Sequence, residues 1–170
     1  MPTLHSFGLQ NLSVLVVERD RFAANLIQTI LHTFGITKLH FAFHSDEVLE
    51  FLSLQQPNLI ITEYKLKGCD TIDMVRQIRS ASFEPYQHAN ILMITGIADL
   101  QTVKEARDAG ITEFLAKPVT GYNLYNRICS MIAHPRPFTD CPVFKGPERR
   151  RRKQTMFPDR RSHDELEIRM

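Results

Sequence analysis

The chain has 170 residues, 43% of them apolar and 24% charged, which suffices for one ordinary core and makes one domain plus an appendage the economical reading. No apolar run approaches the ~20 residues that span a bilayer, and Met1 to Asn11 lack the basic start and apolar stretch of a signal peptide, which points to the cytoplasm without membrane insertion. The formal net charge of +2 excludes a uniformly basic or acidic molecule.

Taken in chain order, Leu12 to Val17 is a short apolar, β-branched run that reads as a strand buried on both faces. Phe22, Leu26, Ile27, Ile30, Leu31 and Phe34 then recur at helical spacing and stop at Gly35, a C-terminal cap. Leu39 to Phe43 follows as strand, Ser45 to Leu54 as a helix with Ser45 as N-cap, and Leu59 to Thr62 as strand. Ile72 to Ile78 reads as helix, Ile91 to Thr95 as strand, Leu100 to Ala109 as a helix ending at Gly110, Glu113 to Ala116 as strand, and Leu124 to Ile132 as the last helix. Five strands each followed by a helix predict an α/β fold, a doubly wound five-stranded parallel sheet of (βα)5, flavodoxin-like type. Such sheets place their sites at the carboxyl ends of the strands.

After Ala133 the pattern breaks at Pro135 and Pro137, and residues 135–170 are expected to be a linker and a disordered arginine-rich tail behind a domain over residues 1–134. Charge divides along the same line. Residues 1–134 hold 11 Lys/Arg against 13 Asp/Glu, whereas residues 135–170 hold 10 against 6, with eight of the ten bases inside 145–161. Cys69, Cys129 and Cys141 are odd in number and form no C-x-x-C pair, which argues against a disulfide framework or a zinc site.

At the predicted strand ends stand Glu18-Arg19, Glu63, Thr95-Gly96 and Lys117-Pro118, in the segments "VVER", "EYKLKGCDT", "TG" and "FLAKPV". Over residues 12–133 this order resembles the receiver domain of bacterial response regulators. The resemblance implies that Glu63 occupies the phosphoacceptor position, that Glu18 and Arg19 occupy the Mg²⁺-binding acid positions, and that Thr95 and Lys117 occupy the phosphoryl-contacting positions. Phe114 matches an aromatic switch position, and is as well explained as core. The departures are chemical: the Glu63 carboxylate sits one methylene further out than an aspartate, so in-line transfer should fail or be very slow. Arg19 sets a cation where Mg²⁺ needs oxygen, so no metal is expected. A closed network of Arg19, Glu18, Glu63 and Lys117 imitating metal and phosphoryl charge is one reading, and a drifted remnant the other. Thr71 replaces the glycine expected in the loop after the third strand. A phosphorelay protein still phosphorylated at Glu63 remains the alternative.

The basic segment "KGPERRRRKQTMFPDRR" repeats a Pro-acid-Arg-Arg module, at Pro147 to Arg150 and Pro158 to Arg161. Arginine forks bond guanine edges and phosphate, arginine faces stack on purines, and carboxylates accept from guanine N–H groups. A ligand with two guanines and two phosphates would use two such modules, and cyclic di-GMP is one. The candidate ligand residues are Glu148, Arg149, Arg150, Arg151, Arg152, Phe157, Asp159, Arg160, Arg161 and Asp164. With the receiver scaffold, the chain is similar to the Cle class of CheY-like proteins, which implies a cyclic di-GMP effector with a flagellar motor switch partner docking on residues 99–130. Composition and spacing alone give a guanine-nucleotide or polyanion-binding tail. A solvated tail or an RNA- or DNA-binding arm is the alternative, although interleaved acids would repel a phosphate backbone. No apolar helix face accompanies the bases to hold a membrane. "ERDRF" after the first strand is not a phosphate loop, and no nucleophile-base pair is visible, so no enzyme is expected.

Overall fold

The computed structural model describes residues 8–66, 69–80, 86–96 and 99–149. Five strands, β1 (Ser13–Val17), β2 (Lys38–Ala42), β3 (Leu59–Glu63), β4 (Asn90–Thr95) and β5 (Glu113–Ala116), pair in parallel in the order β2-β1-β3-β4-β5. Helices α1 (Arg21–Thr33), α2 (Ser45–Leu54), α3 (Thr71–Arg79), α4 (Leu100–Ala109) and α5 (Gly121–Ala133) alternate with them. This is the doubly wound, flavodoxin-like receiver fold that the sequence pattern predicts. Alternate side chains of each central strand feed two separate cores, one on each face of the sheet. Leu15, Val17, Ile60, Ile91 and Met93 meet Val48, Leu52, Met74, Val75 and Ala106 from α2, α3 and α4. On the other face Val14, Val16, Ile61, Leu92 and Ile94 meet Ile27, Leu31, Leu124 and Ile128 from α1 and α5.

Helix starts are set by oxygen acceptors for the unpaired first-turn amides. Asp20 accepts from Phe22 and Ala23 at 2.7 and 3.1 Å, Asp70 from Ile72 at 2.8 Å, and Asp99 from Thr102 at 2.7 Å. Ser45 is not the cap of α2; it is the first helical residue, His44 precedes it, and Glu47 reaches back to the amides of Phe43 and His44. Thr71 is likewise no loop residue: the Asp70 cap starts α3 one position earlier than the apolar period shows, and Thr71 is its fully buried first residue. Gly110 closes α4 at φ 105°, a conformation that costs a residue with a Cβ but not glycine.

The expectation of structureless chain from residue 135 fails for its first part. Strands β6 (Phe138–Cys141) and β7 (Phe144–Pro147) form an antiparallel hairpin that packs on the end of α4. Arg136 pins the approach to it by donating to Glu113 at 2.8 Å, beside Arg127 at 2.9 Å. Phe138 stacks edge-on with His88, ring centroids 4.3 Å apart, and Gly146 comes so close to Gly110 that a Cβ on Gly110 would stand 2.9 Å from the Lys145 carbonyl oxygen.

Arg79 holds this corner together. Its side chain is fully buried and donates from Nε to the Gly110 carbonyl at 3.0 Å, from Nη1 to the Gln87 carbonyl and to that of Ala89 at 2.8 Å, and from Nη2 to Thr112 Oγ1 at 3.4 Å. One side chain thus ties α3 to the turn before β4 and the turn after α4, and its guanidinium lies 5.8 Å from the centroid of the Phe138 ring in the hairpin.

Candidate functional site

The carboxyl ends of β1, β3, β4 and β5 converge, and each delivers one of the residues singled out from the sequence. Glu18 follows β1 directly and is buried to 2% exposure. Its Oε1 accepts the Asp20 amide at 3.0 Å, and Lys117 Nζ stands 3.2 Å from its Oε2. Glu63, the last residue of β3, takes the same ammonium on Oε1 at 2.9 Å. Its Oε2 is buried, has no hydrogen-bond partner among the described residues, and faces the Arg19 Nε at 3.6 Å. Lys117 follows β5, placed by its amide bond to the Thr95 carbonyl at 2.8 Å, and its peptide to Pro118 is cis. Thr95 ends β4 buried at 2% exposure. Phe114 is partly buried and packs against the α2–α4 core.

The electrostatics follow from that closure. Burial pushes the Glu18 carboxyl above the ordinary carboxylate range, with the Glu63 carboxylate adding to the push and the Asp20 amide and Lys117 opposing it. Burial likewise disfavours charge on Lys117, but the hydrogen bond to Glu63 and the attraction of both carboxylates outweigh it and raise its pKa. Asp20 lies beside these groups but turns to the helix: the amides of Ala23 and Phe22 hold its carboxyl below the usual range. The donor set does not suit Mg²⁺. Both carboxylates that could ligate it already face cations, Arg19 enters where a third oxygen would be needed, and no cluster of three His, Cys, Asp or Glu side chains is placed for a metal among the described residues.

At the other end of the molecule, Glu148 donates its amide to the Pro137 carbonyl at 2.8 Å, closing the hairpin. Arg149 then lies over the Phe144 ring, 4.1 Å from its centroid, with Nη1 3.6 Å from Asp108 Oδ1. Arg150, Arg151, Arg152, Phe157, Asp159, Arg160, Arg161 and Asp164 lie outside the described residues. Sequence reasoning missed Arg79, Asp108 and the role of Phe144. The available signals were slight: a basic residue in the last turn of α3, and two aromatics, Phe138 and Phe144, flanking Cys-Pro-Val.

Among the described residues no helix is long and apolar enough to cross a membrane. Comparison with known proteins matches residues 14–129 to the response regulator receiver domain, so the hairpin and the arginine run lie beyond the matched part. The chemotaxis protein CheY-3 of Vibrio cholerae is 24% identical over 119 residues, 70% of this chain and 90% of that protein. Chemotaxis protein CheY of Pseudomonas aeruginosa is 26% identical over 117 residues, 69% of this chain and 93% of that one. In solved structures the fold recurs in a response regulator of Chloroflexus aurantiacus (TM-score 0.67, 24% identity, 72% of this chain and 98% of that). It recurs too in CheY4 of Vibrio cholerae (TM-score 0.63, 21% identity, 69% and 95%). The chain belongs to the response regulator receiver domain family, as a CheY-like signalling module.

Proposed function

We propose that this receiver is switched by a guanine second messenger instead of phosphoryl transfer. It binds cyclic di-GMP through residues 148–164 and then engages a flagellar motor switch protein, as members of the Cle class do. The observation that carries the reading is how the arginine run begins. Arg149, the first of four consecutive arginines, leaves an ordered hairpin with its guanidinium stacked on Phe144, so the acid-Arg-Arg modules start from a fixed point on the receiver. Each Arg-guanine fork is worth about 1–3 kcal/mol of discrimination, stacking adds roughly as much per base, and ordering a residue costs about 1–2 kcal/mol, so four to six such contacts can organise on the order of ten residues. Ligand has less to order than composition implies, because residues 145–149 already belong to the hairpin and its exit.

The strand-end site supports the second half of the reading. With Glu63 held by Lys117 and faced by Arg19, the nucleophile is both displaced and occupied, and metal binding is weak or absent. Calorimetry of the whole chain against cyclic di-GMP, GTP and an RNA oligomer is the test. Cyclic di-GMP binds, and Arg160→Ala with Arg161→Ala abolishes binding; uptake of RNA alone gives the tail to nucleic acid. Incubation with acetyl phosphate and Mg²⁺ leaves the intact mass unchanged, and a stoichiometric phosphoryl adduct overturns this half.

A further inference from the structure

The hairpin does more than present the arginine run, because it walls off a groove. Between it and the C-terminal ends of α3 and α4 lies a cavity of about 360 Å³, open to solvent, within the size range of small-molecule sites. Its lining includes Arg76, Arg79, Asp108, Val143, Phe144 and Lys145. The charges are unequal in kind. Arg76 pairs with Asp73 at 2.7 Å, Lys145 with Asp140 at 3.3 Å and Arg149 with Asp108 at 3.6 Å, all on partly exposed side chains, so each pair is weak and can exchange partners. Arg79 is different: it is buried, its donors go to carbonyls and a hydroxyl, and no carboxylate lies within ion-pairing distance of it among the described residues. A buried cation without an anionic partner sets up a positive potential that solvent screens poorly. Burial lowers its pKa to about 9, which leaves it charged at neutral pH.

Beside the groove, stacked on the Phe144 that lines it, stands a second feature. The Arg149 guanidinium, backed by the Phe144 ring, offers a flat cationic face to a purine. We infer that the groove is the subsite for one guanosine-phosphate unit: phosphate above Arg79 between Arg76 and Lys145, base on the face of Arg149 turned away from Phe144. This deepens the cyclic di-GMP reading and rests on it. The ligand is gripped by the folded receiver as well as by the arginine segment, so binding is felt at the ends of α3 and α4.

The test titrates cyclic di-GMP into the full chain and three variants. Arg76→Glu reverses charge on an exposed rim side chain and leaves the core alone; it weakens binding roughly tenfold or more. Phe144→Leu keeps apolar packing and removes the ring behind Arg149, with a loss of roughly tenfold. Lys38→Glu, an exposed side chain on the opposite edge strand β2, makes the same change in net charge and shifts affinity less than about twofold. If Arg76→Glu and Phe144→Leu both bind as the parent does while the Arg160/Arg161 double variant fails, the groove is overturned and the arginine-segment reading stands. If the parent takes up no cyclic di-GMP, both fall.

Discussion

A single methylene decides what the strand-end site can be. Glu63 carries its carboxylate far enough out to meet the Lys117 ammonium at 2.9 Å, while Glu18 holds the same ammonium from the other side, so one lysine is shared by a buried acid and a partly buried one that Arg19 also faces. Which residues stand there was legible from motif order alone. Which oxygen meets which cation was not, because side chains separated by up to 99 positions are brought together only by strand register. Lys117→Met takes the ammonium from both carboxylates and leaves Glu63 with Arg19 alone at 3.6 Å; because Lys117 is itself 31% exposed, the cost at neutral pH falls below the ~3 kcal/mol of a fully buried pair. Glu18 fixes the sign of the pH dependence. Its carboxyl pKa is raised in the folded state, so the native protein binds more protons than the unfolded chain between the unfolded and folded values, and stability falls as pH rises through that window. Without the ammonium that favours the anion, the window widens upward. Urea unfolding of Lys117→Met should therefore show a loss at pH 7 that shrinks towards pH 5. An equal loss at both values contradicts the shared-cation account. Lys117 itself, with its pKa raised, contributes stability that persists below its ordinary value of 10.5 and disappears only as pH climbs through its folded-state value.

Elements were readable where their period was carried by apolar residues, and unreadable where packing replaced it. The central strands and α1, α4 and α5 announce themselves through runs and stripes that feed two cores. The β6–β7 hairpin does not: its turn is Pro142-Val143 instead of an Asn-Gly type pair, and its strands are short. Its anchor lies on other elements. Arg79 reads in sequence as an ordinary basic residue at a helix end, yet it is fully buried and bonded to three carbonyls. Arg79→Met fills a similar volume and removes every donor, leaving the buried carbonyls of Gly110 and Gln87 and the half-buried one of Ala89 without this partner. At about 1–3 kcal/mol for each stranded group, the expected loss is at least ~3 kcal/mol. The hairpin amides should lose protection in hydrogen exchange more than those of β1. Uniform loss across both elements would show Arg79 to be general core and not a staple for this corner.

Across the whole molecule, charge is partitioned: residues 135–170 carry ten Lys/Arg against six Asp/Glu, and residues 1–134 carry slightly more acid than base. A basic segment hung on a slack linker would bind its ligand without the receiver noticing. Here the linker is not slack, since Arg136 is paired to Glu113 of β5, the hairpin sits on Gly110 at the end of α4, and Arg149 spans Phe144 and Asp108. If ligand is held by the arginine run and the groove as proposed, it stabilises the receiver by mass action, by about 2.7 kcal/mol at a free concentration one hundred times Kd. At roughly 2–4 °C per kcal/mol for a chain of this size, that is a rise of several degrees in the Tm of the β-sheet domain. Far-ultraviolet dichroism, dominated by the five helices of the receiver, reports that transition. At the same free concentration of cyclic di-GMP, this Tm should rise in the parent and rise less in Phe144→Leu, whose roughly tenfold weaker binding removes about 1.4 kcal/mol of the stabilisation. A parent that binds cyclic di-GMP with no change in this transition would mean that the segment and the receiver are thermodynamically independent, and the signal would then have to pass to the partner from the tail alone.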